Sequence, residues 1–331
     1  MSHAIHLPSR LASATLAAGL LAGCSAGTPG AGDAAGASAG EALTVYATTG
    51  YLADAVATIA PDAEVTTMVG PGGDPHTYQP STADIQAIRS ADVVLWNGLH
   101  LEAQMDDQLA SLGDVQLAVG EAIPEDLLLD WPERDEAGNA LHDPHIWNSP
   151  QAWSLAVEAI ADHLATLDPD GAATYRANAA AYTDQIDQAA QEAQEALAGI
   201  PEPRILITGH DAFAYFGDTF DLQVHATDFV STEAALSAGD LSALADLIAE
   251  HEVPVIFQDN QANPQAITSL REAVVDRGWD VEIATEELYA DSLGAQAGVD
   301  TYLGVFRHNA DAVARALGGT PEGEGALEGT P

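Results

Sequence analysis

Three of the eleven histidines in this 331-residue chain stand where they can do chemistry. His76 lies in Gly72-Gly73-Asp74-Pro75-His76-Thr77-Tyr78, and His145 lies in His142-Asp143-Pro144-His145-Ile146-Trp147. Two Asp-Pro-His triplets in one chain argue against chance. Proline fixes its own φ and holds the preceding aspartate extended, so each imidazole is presented from a stiff loop. His210, in Ile207-Thr208-Gly209-His210-Asp211, directly follows an apolar run that reads as a strand. It projects from a strand's carboxyl end, where ligands collect in open α/β sheets. Imidazole nitrogen is a good ligand for zinc and a usable one for manganese, and a hard oxygen completes a four-coordinate site. Calcium and magnesium prefer more oxygens. His163, His251 and His308 fall in helix or strand-edge patterns and read as structural or surface residues.

Zinc hydrolysis is the rival chemistry. It needs an open coordination position and a placed general base. The chain has no His-Glu-x-x-His pattern, and none of its 51 acids stands out as a base beside these histidines.

The elements that must position these residues alternate between strand and helix. Ala42 to Thr48, Glu64 to Val69 and Asp92 to Asn97 read as strands, with helices at Tyr51 to Ala60 and Thr82 to Ser90. Arg204 to Thr208, Val253 to Phe257 and Asp280 to Ile283 are three further strands, the first two followed by helical stretches. Such alternation predicts parallel sheets with helices on both faces. Between the two groups, a helical stretch opens at Pro169-Asp170 and ends before Pro201 and Pro203. About 28 residues at about 1.5 Å each span about 42 Å, more than one small domain. It reads as a rigid spine between two lobes, the alternative being two helices broken near Gln191.

Composition narrows the partners. Apolar residues make up 47%, enough for a core, while 51 acids face nine basic residues for a net charge of −42. All nine are arginine; the chain has no lysine. That excludes a nucleic-acid surface, which needs cations to displace counterions, and a polybasic membrane patch. The lone cysteine, Cys24, rules out an intramolecular disulfide. It ends Leu21-Ala22-Gly23-Cys24, after Arg10 and a short apolar run too short to span a membrane. This pattern resembles a bacterial lipoprotein signal, with cleavage before Cys24 and lipidation of its side chain. Buried acyl chains tether an acidic body without basic residues. The expected organisation is a signal peptide at 1–23, Cys24 and a flexible linker at 24–41, an N-terminal α/β lobe at 42–167, a spanning helix at 168–200, a C-terminal α/β lobe at 201–317 and a disordered tail at 318–331.

From 42 to 317 the motifs resemble the cluster A-I metal-binding lipoprotein receptors of bacterial ABC importers, which serve zinc and manganese. The resemblance rests on Gly72 to Tyr78, Asp92 to Glu102 with Asn97-Gly98-Leu99, Asp143 to Trp147, Tyr175 to Asn178, His210 to Phe216 and Leu288 to Gly294. It implies two Rossmann-like α/β lobes joined by one long rigid helix, with one metal ion in the interlobe cleft. It also implies the ligands His76, His145 and His210, with Asp291 of Tyr289-Ala290-Asp291-Ser292 as the carboxylate. Glu102, His100 and His142 are possible accessory ligands. Relatives often carry Glu-Pro-Ser-Ala where this chain has Glu233 followed by Ala234 and Ala235, and many zinc-specific ones carry a long His-rich loop that is absent here. Three imidazoles and a carboxylate favour zinc; manganese stays open if Asp291 offers both oxygens. The implied partners are an ABC permease and its ATPase, with a monomeric, non-enzymatic receptor outside the cytoplasmic membrane, held there by its lipid anchor alone. A lipid-anchored adhesin is a further alternative.

Overall fold

β1 (Thr44–Ala47) opens a series of strand–helix units, followed by α1 (Gly50–Ile59), β2 (Glu64–Thr67), α2 (Thr82–Ser90), β3 (Val93–Trp96), α3 (Asp106–Ala110) and β4 (Gln116–Ala118). The structure is a computed structural model that describes residues 42–134, 138–228, 236–261 and 263–320. The expectations placed on the signal peptide, on Cys24 and its linker, on Glu233 and its neighbours, and on the tail beyond 320 lie outside these residues.

The four strands pair in parallel in the order β2-β1-β3-β4. Val45 to Ala47 and Val93 to Trp96, the inner pair, are buried, as parallel strands under helices on both faces require. Helix starts are capped: Thr49 accepts from Leu52 N at 3.3 Å, and Ser81 and Asp84 form a reciprocal capping box on α2. An antiparallel hairpin of β5 (Asp130–Arg134) and β6 (Ala140–His142) then leads directly into His145.

Two long helices follow, α4 (Pro150–Leu167) and α5 (Ala172–Leu197). α5 runs unbroken through Gln191 for 26 residues, about 39 Å at about 1.5 Å per residue. It buries Tyr175, Ala179, Tyr182, Ile186, Ala189, Ala193 and Ala196, a stripe of alternating four- and three-residue steps. Its first half is fastened to the N-terminal lobe, with Asn178 Nδ2 donating to Ile59 O at 2.9 Å. Its second half meets the C-terminal lobe, where Arg307 Nε contacts Glu192 Oε2 at 2.8 Å.

The C-terminal lobe repeats the plan with β7 (Ile205–Thr208), α6 (Ala214–Phe220), β8 (Gln223–Ala226), α7 (Ala238–Glu250), β9 (Val255–Ile256), α8 (Pro264–Val275), β10 (Glu282–Ile283) and α9 (Tyr302–Leu317). β7 pairs with β8 and β9 with β10, all in parallel. Phe257 N, just past β9, donates to Ile207 O of β7 at 2.8 Å and so links the two pairs. Arg204 closes two helix ends at once, donating to Leu197 O, Ile200 O, Phe220 O and Asp221 O.

The predicted strands are present in shortened form, but β4, β5, β6 and β8 are absent from the sequence reading. β4 and β8 are edge strands, three and four residues long, and Gln223-Val224-His225-Ala226 carries little apolar signal. Gly318 ends α9 in the left-handed region at φ 88°, and Thr320 N donates to Ala196 O at 2.8 Å.

The spine is not the sole link between lobes. Asp54 Oδ2 on α1 accepts from Tyr182 OH of α5 and from Tyr302 N at the start of α9. The largest core is continuous across both lobes, with Tyr51, Trp147 and Trp153 in the same cluster as Phe213, Phe257 and Phe306. No helix among the described residues is long and apolar enough to cross a membrane.

Candidate metal centre

The loop that carries His76 joins β2 to α2 and is stiffened from within. Asp74 Oδ1 accepts from His76 N at 2.8 Å, and Asp74 Oδ2 accepts from Thr77 Oγ1 at 2.9 Å. Gly73 has no room for a side chain, since a Cβ there would come within 2.7 Å of Val69 Cγ1. Tyr78 OH anchors the loop's far end on Asp84 at 3.0 Å.

The second Asp-Pro-His triplet uses the same turn. Asp143 Oδ1 accepts from His145 N at 2.9 Å and from the ring Nδ1 at 2.7 Å. The triplet is therefore more than a proline-stiffened presentation: the aspartate closes the turn, and here it also selects the tautomer that leaves Nε2 free. Asp143→Asn is expected to lower metal affinity about 10- to 100-fold with the fold intact. Titration against a chelator of known affinity checks this, and an unchanged affinity would remove Asp143 from the site's support.

Asn97 Nδ2 donates to Pro144 O at 2.9 Å and so holds the same loop from β3. Asn97 is itself placed by Glu102, whose carboxylate accepts from Thr48 Oγ1, Asn97 N and Gly98 N. Burial raises the Glu102 pKa to about 7 against the pull of these three donors. Gly98, Leu99 and His100 all have positive φ, at 73°, 54° and 69°. Two non-glycine residues held there mark a strained turn, which wraps around the Glu102 carboxylate.

His210 follows β7 at once, its N donating to Asp259 Oδ2 at 2.7 Å. Asp291 comes after β10, with its N held by Gln261 Oε1 at 3.0 Å. Gln261 Nε2 in turn donates to Gly73 O, in the His76 loop of the other lobe.

Four side chains meet at one point. His145 Nε2 lies 3.3 Å from both His76 Nε2 and His210 Nε2, and 3.3 Å from Asp291 Oδ1. Asp291 Oδ2 lies 3.2 Å from His210 Nε2 and 3.5 Å from His76 Nε2. A tetrahedral ion with bonds of about 2.0–2.1 Å has ligand atoms about 3.3–3.4 Å apart. The spacing is that of a metal polyhedron. All four are buried, His76 at 5% exposure and the others at 0%. Apart from the ring nitrogens they face, the Asp291 oxygens accept no hydrogen bond among the described residues, so both are open toward an ion.

The electrostatics follow from burial and crowding. Burial, reinforced by its two histidine neighbours, pulls His76 down to about 3 despite the Asp291 carboxylate. Burial also pulls on His145, but Asp143 and Asp291 outweigh it and hold the ring up at about 10. His210 is raised as well, burial being outweighed by Asp291. For Asp291 burial raises the pKa, but the histidines His210 and His145 bring it well below the usual carboxylate range.

The structure brings His76, His145, His210 and Asp291 together, two from each side of the spine, and places the other candidates outside. Among the described residues, the group placed to hold a metal ion consists of those four. Glu102 is occupied by its three donors; His100 Nδ1 contacts Asp106 at 3.0 Å at the surface; His142 sits half-buried in β6 opposite Asp130. The sequence reading misses Asp143 as a ring partner and Asn97 and Gln261 as loop holders. The repeated Asp of Asp-Pro-His was the one available signal.

The family model "Zinc-uptake complex component A periplasmic" matches residues 45–316. The manganese-binding lipoprotein MntA of Bacillus subtilis is 36% identical over 282 residues, which cover 84% of this chain and 90% of that protein. The zinc-binding protein TroA of Treponema pallidum is 35% identical over 278 residues, covering 82% and 88%. A solved structure of the periplasmic zinc-binding protein TroA superposes with a TM-score of 0.78 at 34% identity, covering 83% of this chain and 99% of that one.

Proposed function

Since the chain belongs to the zinc-uptake complex component A family, the extracytoplasmic metal-binding receptors of ABC importers, we propose that it captures one zinc ion between its lobes with His76, His145, His210 and Asp291. The ion is cargo, handed to a membrane permease powered by an ATPase. One observation carries this reading: three Nε2 atoms and a carboxylate converge, buried, at separations that suit the ligands of a zinc ion. Four protein groups around one ion leave it closed to substrate, which suits capture rather than hydrolysis. The intrinsic order of divalent affinities puts zinc above manganese for such nitrogen-rich ligands.

Manganese is the second reading, favoured by the two oxygens of Asp291, both of which face the imidazoles. A carboxylate that binds through both makes the site five-coordinate and more acceptable to a larger ion. Relatives named for each metal stand at nearly equal identity. The body acts as a monomer tethered through a lipid on Cys24 outside the cytoplasmic membrane.

The deciding experiment measures metal content of the purified chain at pH 7.5, then competes zinc against manganese. One equivalent of zinc held at nanomolar affinity or tighter, with manganese readily displaced, is the expected result. Manganese retained against modest zinc would move the assignment to manganese. No stoichiometric metal would remove the site.

A further inference from the structure

The peptide unit between Ala290 and Asp291 is gripped at both ends by different lobes. Its carbonyl, Ala290 O, accepts from Tyr51 OH at 2.8 Å and from Trp147 Nε1 at 2.9 Å, both on the N-terminal side of the spine. Its amide, Asp291 N, donates to Gln261 Oε1 in the C-terminal lobe. A peptide unit is planar, so fixing its oxygen and its nitrogen fixes the plane. That plane fixes where the Asp291 Cα stands, and so limits where its carboxylate can lie against the three imidazoles.

Tyr51 is well suited to this grip. It lies in the first turn of α1, is 1% exposed, and stacks on Trp147 with ring centroids 4.9 Å apart and planes 18° from parallel. Trp153 and Tyr302 meet its ring edge-on at 6.4 Å. Trp147 also stands edge-on to the His145 ring at 5.3 Å. One aromatic pair therefore contacts a histidine of one lobe and the backbone behind the carboxylate of the other.

We propose that Tyr51 is a positioning residue whose hydroxyl, bonded to Ala290 O across the lobe interface, holds Asp291 in place and sets how fast the bound ion leaves. This rests on the reading of Asp291 as a ligand. The hydroxyl touches no ion, so capture, which begins at the imidazoles, is unaffected. Release requires Asp291 to draw away from the imidazoles, and its backbone cannot follow while Ala290 O is bonded to Tyr51.

Tyr51→Phe tests the hydroxyl alone, because the ring and its stack on Trp147 remain. Zinc release is followed by stopped-flow chase with excess chelator, capture by mixing with limiting zinc, and ligand geometry by the visible absorption of the cobalt(II)-loaded chain. Loss of one buried hydrogen bond is expected to speed release about three- to tenfold. Capture should stay within about twofold, and the cobalt bands should shift as the carboxylate loosens. Gln261→Met, which frees the amide end of the same peptide unit, should speed release in the same direction and serves if the first variant does not fold. An unchanged release rate and cobalt spectrum in a variant that still binds zinc would overturn the proposal. So would equal changes in capture and release together with a lowered melting temperature, which would mean general loosening. If the unaltered chain binds no metal, the assignment of the site falls first and this proposal with it.

Discussion

Replacing His145 with alanine is expected to cost zinc affinity two to three orders of magnitude while leaving the far-ultraviolet circular dichroism of the chain unchanged. Four-ligand structural zinc sites are worth about 10–16 kcal/mol, so one ligand in four is worth about 3–4 kcal/mol, and each factor of ten in affinity is about 1.4 kcal/mol. His145 is the residue to remove because its Nε2 lies 3.3 Å from two other ring nitrogens and from Asp291 Oδ1. The loss also strips Asp143, 2% exposed, of the ring it orients, although its bond to the backbone N of residue 145 survives. Helices and sheets do not depend on the ring, whose Nε2 faces the other two imidazoles and Asp291. Chelator competition measures the effect. Affinity within about threefold of the unaltered chain would mean that His145 is not a ligand.

Affinity should also fall steeply as pH drops, and the sign follows from which protons the empty site holds. Asp143 and Asp291 keep His145 protonated up to about pH 10, and Asp291 raises His210 in the same direction. A metal ion binds only neutral imidazole. Binding at pH 7 must therefore expel the His145 proton, and the His210 proton to the extent that it is present. Proton release favours the complex at high pH and opposes it at low pH. His76, pulled down to about 3, and Asp291, held well below the usual carboxylate range, are already deprotonated and add no slope between pH 8 and 5. One to two displaced protons correspond to about 10- to 100-fold in affinity per pH unit. The dependence starts well above the ordinary imidazole range, because a neighbouring carboxylate keeps the proton on His145. Calorimetry of zinc binding in buffers of different ionisation heat counts the protons directly. A count of zero at pH 7, or a flat affinity from pH 8 to 5, would contradict the charge state described here.

The long spine was legible because periodicity over many residues is a strong local signal. α5 buries Tyr175, Ala179, Tyr182, Ile186 and Ala189 along one stripe, and only the two ends differ from expectation by three or four residues. The inner strands were legible because burial on both faces makes them continuously apolar, as in Val93-Val94-Leu95-Trp96. Edge strands carry no such mark. β8 needs only one paired side and reads polar-apolar, so only its alignment beside β7 defines it.

The three histidines stood out by local chemistry: two Asp-Pro-His triplets, and a histidine at the end of an apolar strand. Asp291 did not, being one acid among 51, and it entered through resemblance alone. Its position is decided by groups distant in sequence: Tyr51 and Trp147 on Ala290 O, and Gln261 on its amide. Local sequence determined the lobes, the spine and the imidazoles, because those depend on periodicity and on turns a few residues long. Tertiary structure alone decided that a carboxylate of one lobe faces three imidazoles drawn from both. Hydrogen bonds across the lobe interface span up to 248 residues of chain, and no local pattern records which distant partner a polar group will meet.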